Sequence, residues 1–114
     1  MYMTLAESLE FTRRARQLLT EKEVDELIEF LALHPQAGVI MPGTGGVRKL
    51  RWAREGKGKS GGTRAIYYFH NENIPLFLLT IYGKGQKDNL SQAERNQLAK
   101  LVRVLVENYS RGTI

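Results

Sequence analysis

The sequence predicts an α+β domain in which helices pack on a small antiparallel sheet, in the order (β)ααβββα. Three observations predict it. Apolar residues recur at helical spacing towards both ends of the chain, the middle alternates with a period of two, and glycine-rich stretches divide the two regimes. With 114 residues, 42% of them apolar and 25% charged, the chain fits one domain, residues 1–114, around one modest core.

A brief strand is expected at residues 2–5. Ser8 then caps a short helix whose inward side is Phe11, Ala15, Leu18 and Leu19. Thr20 and Glu23 form the pattern T-x-x-E, in which each end of the pair satisfies an amide of the other, and so start a second helix. Its stripe is Val24, Leu27, Ile28 and Leu31, and it ends at His34-Pro35 because the residue before proline resists helical geometry. Residues 47–53 alternate, with Leu50 and Trp52 facing one way and Lys49 and Arg51 the other. Residues 63–69 place Arg64, Ile66 and Tyr68 on one face; a polar turn at 70–73 then leads to a mostly buried strand at 76–82. Ser91 and Glu94 open the last helix, with Leu98, Leu101, Val102, Leu105, Val106 and Tyr109 as its stripe. The glycine-rich stretches at 43–46 and 56–62 read as flexible loops bracketing the first of the three central strands.

Composition removes several functions. There is no cysteine, hence no disulfide, no thiolate metal site and no cysteine nucleophile. The longest apolar stretch, residues 74–82, is too short for a bilayer, which needs about 20 residues. The first residues carry acids before any base, unlike a secretion signal, so a soluble cytoplasmic protein without membrane attachment is expected. Residues 53–60 imitate a phosphate-binding loop, but a β-branched and aromatic strand follows where that chemistry requires a helix. The two histidines, His34 at a helix end and His70 at a turn, read as structural, and no metal or cofactor site is expected.

Charge is more informative. Residues 1–42 carry four bases and seven acids, whereas residues 43–69 carry seven bases (Arg48, Lys49, Arg51, Arg54, Lys57, Lys59 and Arg64) against Glu55 alone. Such a block attracts polyanions, nucleic acid first and an acidic protein second. Lys49 and Arg51 share a strand face, and Arg64 on the next strand falls beside them. Like charges repel across neighbouring strands, so the arrangement makes sense where a phosphate sits among them. Lys84 and Lys87, after the last strand, could close the same site. Tyr68 and Tyr82 offer faces on which a splayed base stacks, with core packing as the alternative for each.

The runs at 43–51, 56–59, 62–69 and 79–84 resemble the HigB-like branch of the RelE/ParE superfamily of type II toxin–antitoxin toxins, and the resemblance spans nearly the whole chain. It implies a RelE-like fold, a cognate antitoxin as partner, and cleavage of mRNA on the 70S ribosome. By the same resemblance Lys49 and Arg51 match the basic strand pair, Arg64 the phosphate-binding arginine, and Lys84 a cation beyond the last strand. Arg48, Arg54, Lys57, Lys59 and Lys87, with the two tyrosines, then form the RNA-binding surround. Where the family places a C-terminal tyrosine that supports cleavage, this chain has Asp88-Asn89-Leu90-Ser91, so the general acid and base stay unassigned. The expected chemistry is attack of the ribose 2′-hydroxyl on the phosphodiester without a metal ion. ParE-like inhibition of DNA gyrase and a non-catalytic nucleic-acid-binding module are the alternatives.

Overall fold

The computed structural model describes residues 2–52, 62–83, 85–86 and 90–110. The chain runs through β1 (Leu5–Glu7), α1 (Leu9–Leu18), α2 (Glu21–Leu33), β2 (Val39–Ile40), β3 (Val47–Trp52), β4 (Thr63–Tyr68), β5 (Leu76–Gly83) and α3 (Gln92–Ser110). The strands form one sheet in the order β1-β5-β4-β3-β2. Neighbours from β2 to β5 are antiparallel, but β1 lies parallel to β5, so the sheet is mixed where the sequence reading expected it antiparallel. The parallel strand follows from the helices: β1 must deliver the chain to Ser8, whose amide bonds Leu78 O (3.0 Å) and whose hydroxyl caps α1 at Phe11 N (3.0 Å).

Helix starts follow the capping logic. In α2, Thr20 Oγ1 accepts from Glu23 N while Glu23 accepts from Thr20 N, and Ser91 with Glu94 does the same before α3. His34 caps the end of α2 with its ring 4.9 Å from that of Phe30.

The sheet has an apolar cluster on each side. On one face Phe11, Leu27 and Leu31 of the helical pair meet Ala65, Tyr67, Leu78 and Ile81, with Leu50 and Trp52 at the margin. On the other, Val102 of α3 meets Val47, Ile66, Tyr68, Phe77 and Tyr82. The alternation in β3 is therefore realised, and it assigns Lys49 and Arg51 to the α3 side. No helix among the described residues is long and apolar enough to cross a membrane.

The segment 43–46, expected to be a flexible loop, is a tight turn. Thr44 is fully buried; its hydroxyl donates to Met41 O (2.7 Å) and accepts from Val47 N (3.0 Å). Gly45 sits at φ +79°, where a Cβ would meet Val102 Cγ2 at 3.0 Å and Ala99 Cα at 3.4 Å. Glycine is required there twice over, for the left-handed backbone and for the approach of α3. Most of the second glycine stretch, and the phosphate-loop imitation at 53–60, lie outside the described residues.

Candidate functional site

Register builds the site. Across β3, β4 and β5 the partners Arg51, Arg64 and Tyr82 form one row, and Lys49, Ile66 and Thr80 form the next. Thr63 Oγ1 donates to Trp52 O (3.0 Å) at the end of the pair where β3 finishes and β4 begins, next to the row that sets the two arginines opposite each other. An irregularity at Ile66/Tyr67 pairs Thr80 with Ile66 and Leu78 with Tyr67, so that Leu79 is the extra residue of β5.

Arg64 is 7% exposed, and among the described residues its hydrogen bond is from Nη1 to Gly62 O (3.3 Å), with no carboxylate partner. Arg51 is exposed and Lys49 half-buried. Side chains directly opposite on neighbouring strands stand about 5 Å apart at Cβ, and like charges so placed destabilise a sheet. A nearly buried cation facing a second one is costly unless an anion joins them. Each guanidinium group has the planar donor geometry that can engage two oxygens of an anion.

The other predicted residues are distributed as follows. Arg48 points to the opposite face, where Nη1 donates to Gly38 O (2.8 Å) and Gln36 O (3.1 Å) and so ties down the segment before β2. Tyr67 shares that clasp: its hydroxyl accepts from Gly38 N (2.8 Å), and burial raises its pKa above the usual value, against the lowering influence of the Gly38 amide and Arg48. Tyr68 lies on the cation face but four residues along β4 from Arg64, under α3, with its hydroxyl 3.1 Å from His70 Nδ1; burial raises its pKa too. Tyr82 is 4% exposed and stands directly across from Arg64. The structure thus brings together Lys49, Arg51, Arg64 and Tyr82, and separates Arg48 and Tyr68 from them. Arg54, Lys57, Lys59, Lys84 and Lys87 lie outside the described residues.

The sequence reading missed a neighbour of this row. A cleft of about 440 Å³ opens between the sheet, α1 and the first half of α3. Its floor is Ile66, Thr80 and Tyr82, and Arg14 and Gln97 stand on its walls. Arg14 arrives there because β1 stops at Glu7, which leaves the edge of β5 uncovered beyond Leu78. Ser8 Oγ then donates to Leu79 O and Arg14 Nε to Ile81 O, both at 2.7 Å. The acidic balance of residues 1–42 hid this arginine, since nothing in the sequence shows that β1 pairs with β5 and leaves its edge open beyond Leu78.

The fold and the cation row define a class: a small α+β domain whose mixed sheet sets Arg51 opposite Arg64 with no carboxylate partner among the described residues. Comparison with known families makes the assignment specific, because the model of the RelE toxin of the RelE/RelB toxin–antitoxin system matches residues 7–111. The chain belongs to the RelE toxin family. It is a toxin of a toxin–antitoxin module, with a cognate antitoxin as its partner, in a family whose members are generally mRNA endoribonucleases.

Proposed function

We propose that this toxin is a HigB-branch endoribonuclease that cleaves mRNA on the 70S ribosome in the cytoplasm without a metal ion. The observation that carries the reading is the opposed pair Arg51 and Arg64, which has no carboxylate partner among the described residues. Adjacent cations repel a divalent metal and attract a phosphodiester, so charge stabilisation falls to the guanidinium groups.

In this mechanism the ribose 2′-oxygen attacks the adjacent phosphorus while the P–O5′ bond breaks, leaving a 2′,3′-cyclic phosphate and a 5′-hydroxyl. Arg64 binds the phosphate and takes up the charge that grows on its non-bridging oxygens; Arg51 holds the same group from β3. Lys49, one row away, serves in proton transfer between the 2′-hydroxyl and the leaving 5′-oxygen, and Lys84 is the second candidate for that role. Arg54, Lys57, Lys59 and Lys87 would hold flanking phosphates, and Tyr82 presents the aromatic surface next to the reacting group. The ribosome supplies the in-line geometry, since positioning alone is worth several orders of magnitude in rate.

Arg64→Ala and Lys49→Ala are expected to abolish cutting of ribosome-bound message while both proteins remain folded. Full activity in Arg64→Ala would remove the proposed phosphate residue, and inhibition of DNA supercoiling by a wild type that cuts no RNA would favour the ParE-like alternative.

A further inference from the structure

The face of the sheet away from the cation row carries a surface of the opposite chemistry. Residues 33–47 contain no aspartate, glutamate, lysine or arginine, yet Leu33, Val39 and Ile40 among them are left exposed. Pro35 follows the end of α2, and a shallow groove of about 510 Å³ opens there, lined by Phe30, Leu33, His34, Pro35, Gln36 and Ala37. Its walls are already fixed. Phe30 packs on the rings of His34 (4.9 Å) and Trp52 (5.3 Å), and Arg48 Nη1 donates to Gln36 O and Gly38 O. A preformed groove spares an occupant the cost of ordering it.

The charge around the groove is negative. Glu26 and Glu29, both exposed, stand one helical turn before Phe30 and Leu33, at the i, i+4 spacing that makes neighbours on a helix surface. Glu21 and Asp25 lie beside Arg16 of α1, and Lys22 is the one base of α2. The helix adds its own pole. Its last turn has no base, so the partial negative charge of the terminal carbonyls is uncompensated where the groove begins. Acids near a helix C-terminus lower its stability, so folding does not account for Glu29.

These features select the occupant. The acids repel a phosphate backbone, and a wholly apolar partner would leave them without counter-charges. A polypeptide segment with lysine or arginine beside an apolar side chain satisfies both the groove and its rim. A ribosome offers RNA and basic protein; the cation row suits the first and the groove the second. We propose that the groove at the end of α2 docks a lysine- or arginine-rich segment of a ribosomal protein, with an apolar side chain against Leu33 and Phe30 and cations on Glu26 and Glu29. The proposal rests on the ribosome-dependent reading and adds a protein contact on the far face of the sheet, which turns the cation row towards the message.

The chain has no cysteine, so Leu33→Cys gives a single attachment point for a benzophenone crosslinker. Irradiated on 70S ribosomes that carry a defined message, the labelled protein is expected to join a basic segment of one ribosomal protein. Glu26→Lys combined with Glu29→Lys, at exposed positions where cations suit the helix dipole, should keep the fold and raise KM for programmed ribosomes by about tenfold with kcat unchanged. Leu33→Ser should raise KM in the same way, and the effect of the charge reversal should shrink as salt rises. A crosslink to ribosomal RNA alone, or none from labelled protein that still cuts, would overturn the docking site and spare the nuclease. So would a KM unchanged in both variants. A crosslink confined to the cognate antitoxin in the toxin–antitoxin complex would make the groove the antitoxin's surface and likewise overturn the proposal. Folded wild type that neither binds nor cuts on 70S ribosomes would overturn the ribosome reading itself, and the docking site with it.

Discussion

Replacing Arg51 by glutamine should make the protein more stable and less active. Arg51 and Arg64 face each other on neighbouring strands and share the α3 side of the sheet. Two unit charges at a separation of roughly 6 Å repel by about 0.7 kcal/mol at the dielectric of water and about 3 kcal/mol at an effective dielectric of 20. Arg51 is exposed, so salt screens it and the lower value applies; like-charged cross-strand neighbours generally cost about 0.2–1 kcal/mol. A gain of about 0.5 kcal/mol corresponds to a rise in melting temperature of roughly 2–4 °C for a domain of this size. Thermal unfolding at low and high salt reads it, and the gain should shrink as salt rises. Cleavage should fall by at least about tenfold, since a charge-assisted hydrogen bond to phosphate is worth about 1.5–3 kcal/mol. Lys49→Gln is the control: its cross-strand partner is Ile66, so activity falls with no gain in stability. If Arg51→Gln melts at or below the wild-type temperature, or if Lys49→Gln gains equally, the two arginines do not repel and the phosphate argument loses its basis.

Two further predictions concern the frame around the site. Gly43 and Gly45 both have positive φ and both face α3, but a Cβ at Gly43 would meet only the flexible Arg95 side chain at an ordinary 3.6 Å, whereas at Gly45 it would press on Val102 Cγ2 at 3.0 Å and the Ala99 backbone at 3.4 Å. Gly43→Ala should therefore cost about 1–2 kcal/mol in urea unfolding, the left-handed penalty, and Gly45→Ala clearly more; equal losses would mean that α3 does not press on the turn. Tyr67→Phe leaves Gly38 N without its acceptor and should cost about 1–3 kcal/mol, and an unchanged midpoint would refute the clasp. Because the Tyr67 hydroxyl titrates above its usual value of 10.0, folding favours its protonated form. That contribution is complete below pH 10.0 and is lost as pH rises through the higher folded value, so wild type should lose stability in that window more steeply than Tyr67→Phe.

Much of this architecture is legible in short patterns. The boxes Thr20–Glu23 and Ser91–Glu94 place two helix starts because their logic is local, and the alternation 49-51 against 50-52 assigns the cations to one face because strand geometry leaves no other choice. What failed to show in the sequence depends on distant partners. Val39 and Ile40 become a strand only through pairing with Lys49 and Arg48, and both remain exposed at the sheet edge, so no apolar alternation marks them. A brief first strand is expected at 2–5, but β1 lies at Leu5–Glu7, three residues that are too short for a period to place them, and its parallel pairing depends on β5. Arg48 looks like another member of the basic block, yet one step along a strand reverses the face and makes it a clasp for the Gly38 segment. Gly45 reads as a loop residue until the helix above it is seen, and Arg14 becomes part of the cleft only because β1 ends where it does. The cation row was thus readable from period and charge, while its surroundings required the tertiary fold.

The most direct test of the account maps 5′ ends on a defined message, with and without 70S ribosomes, for wild type and Arg64→Ala. The account predicts new 5′-hydroxyl ends within codons that require ribosomes, form in the presence of a metal chelator that leaves the ribosomes assembled, and vanish in the folded variant. Ends that persist in Arg64→Ala, or no ends from wild type under any of these conditions, would contradict it.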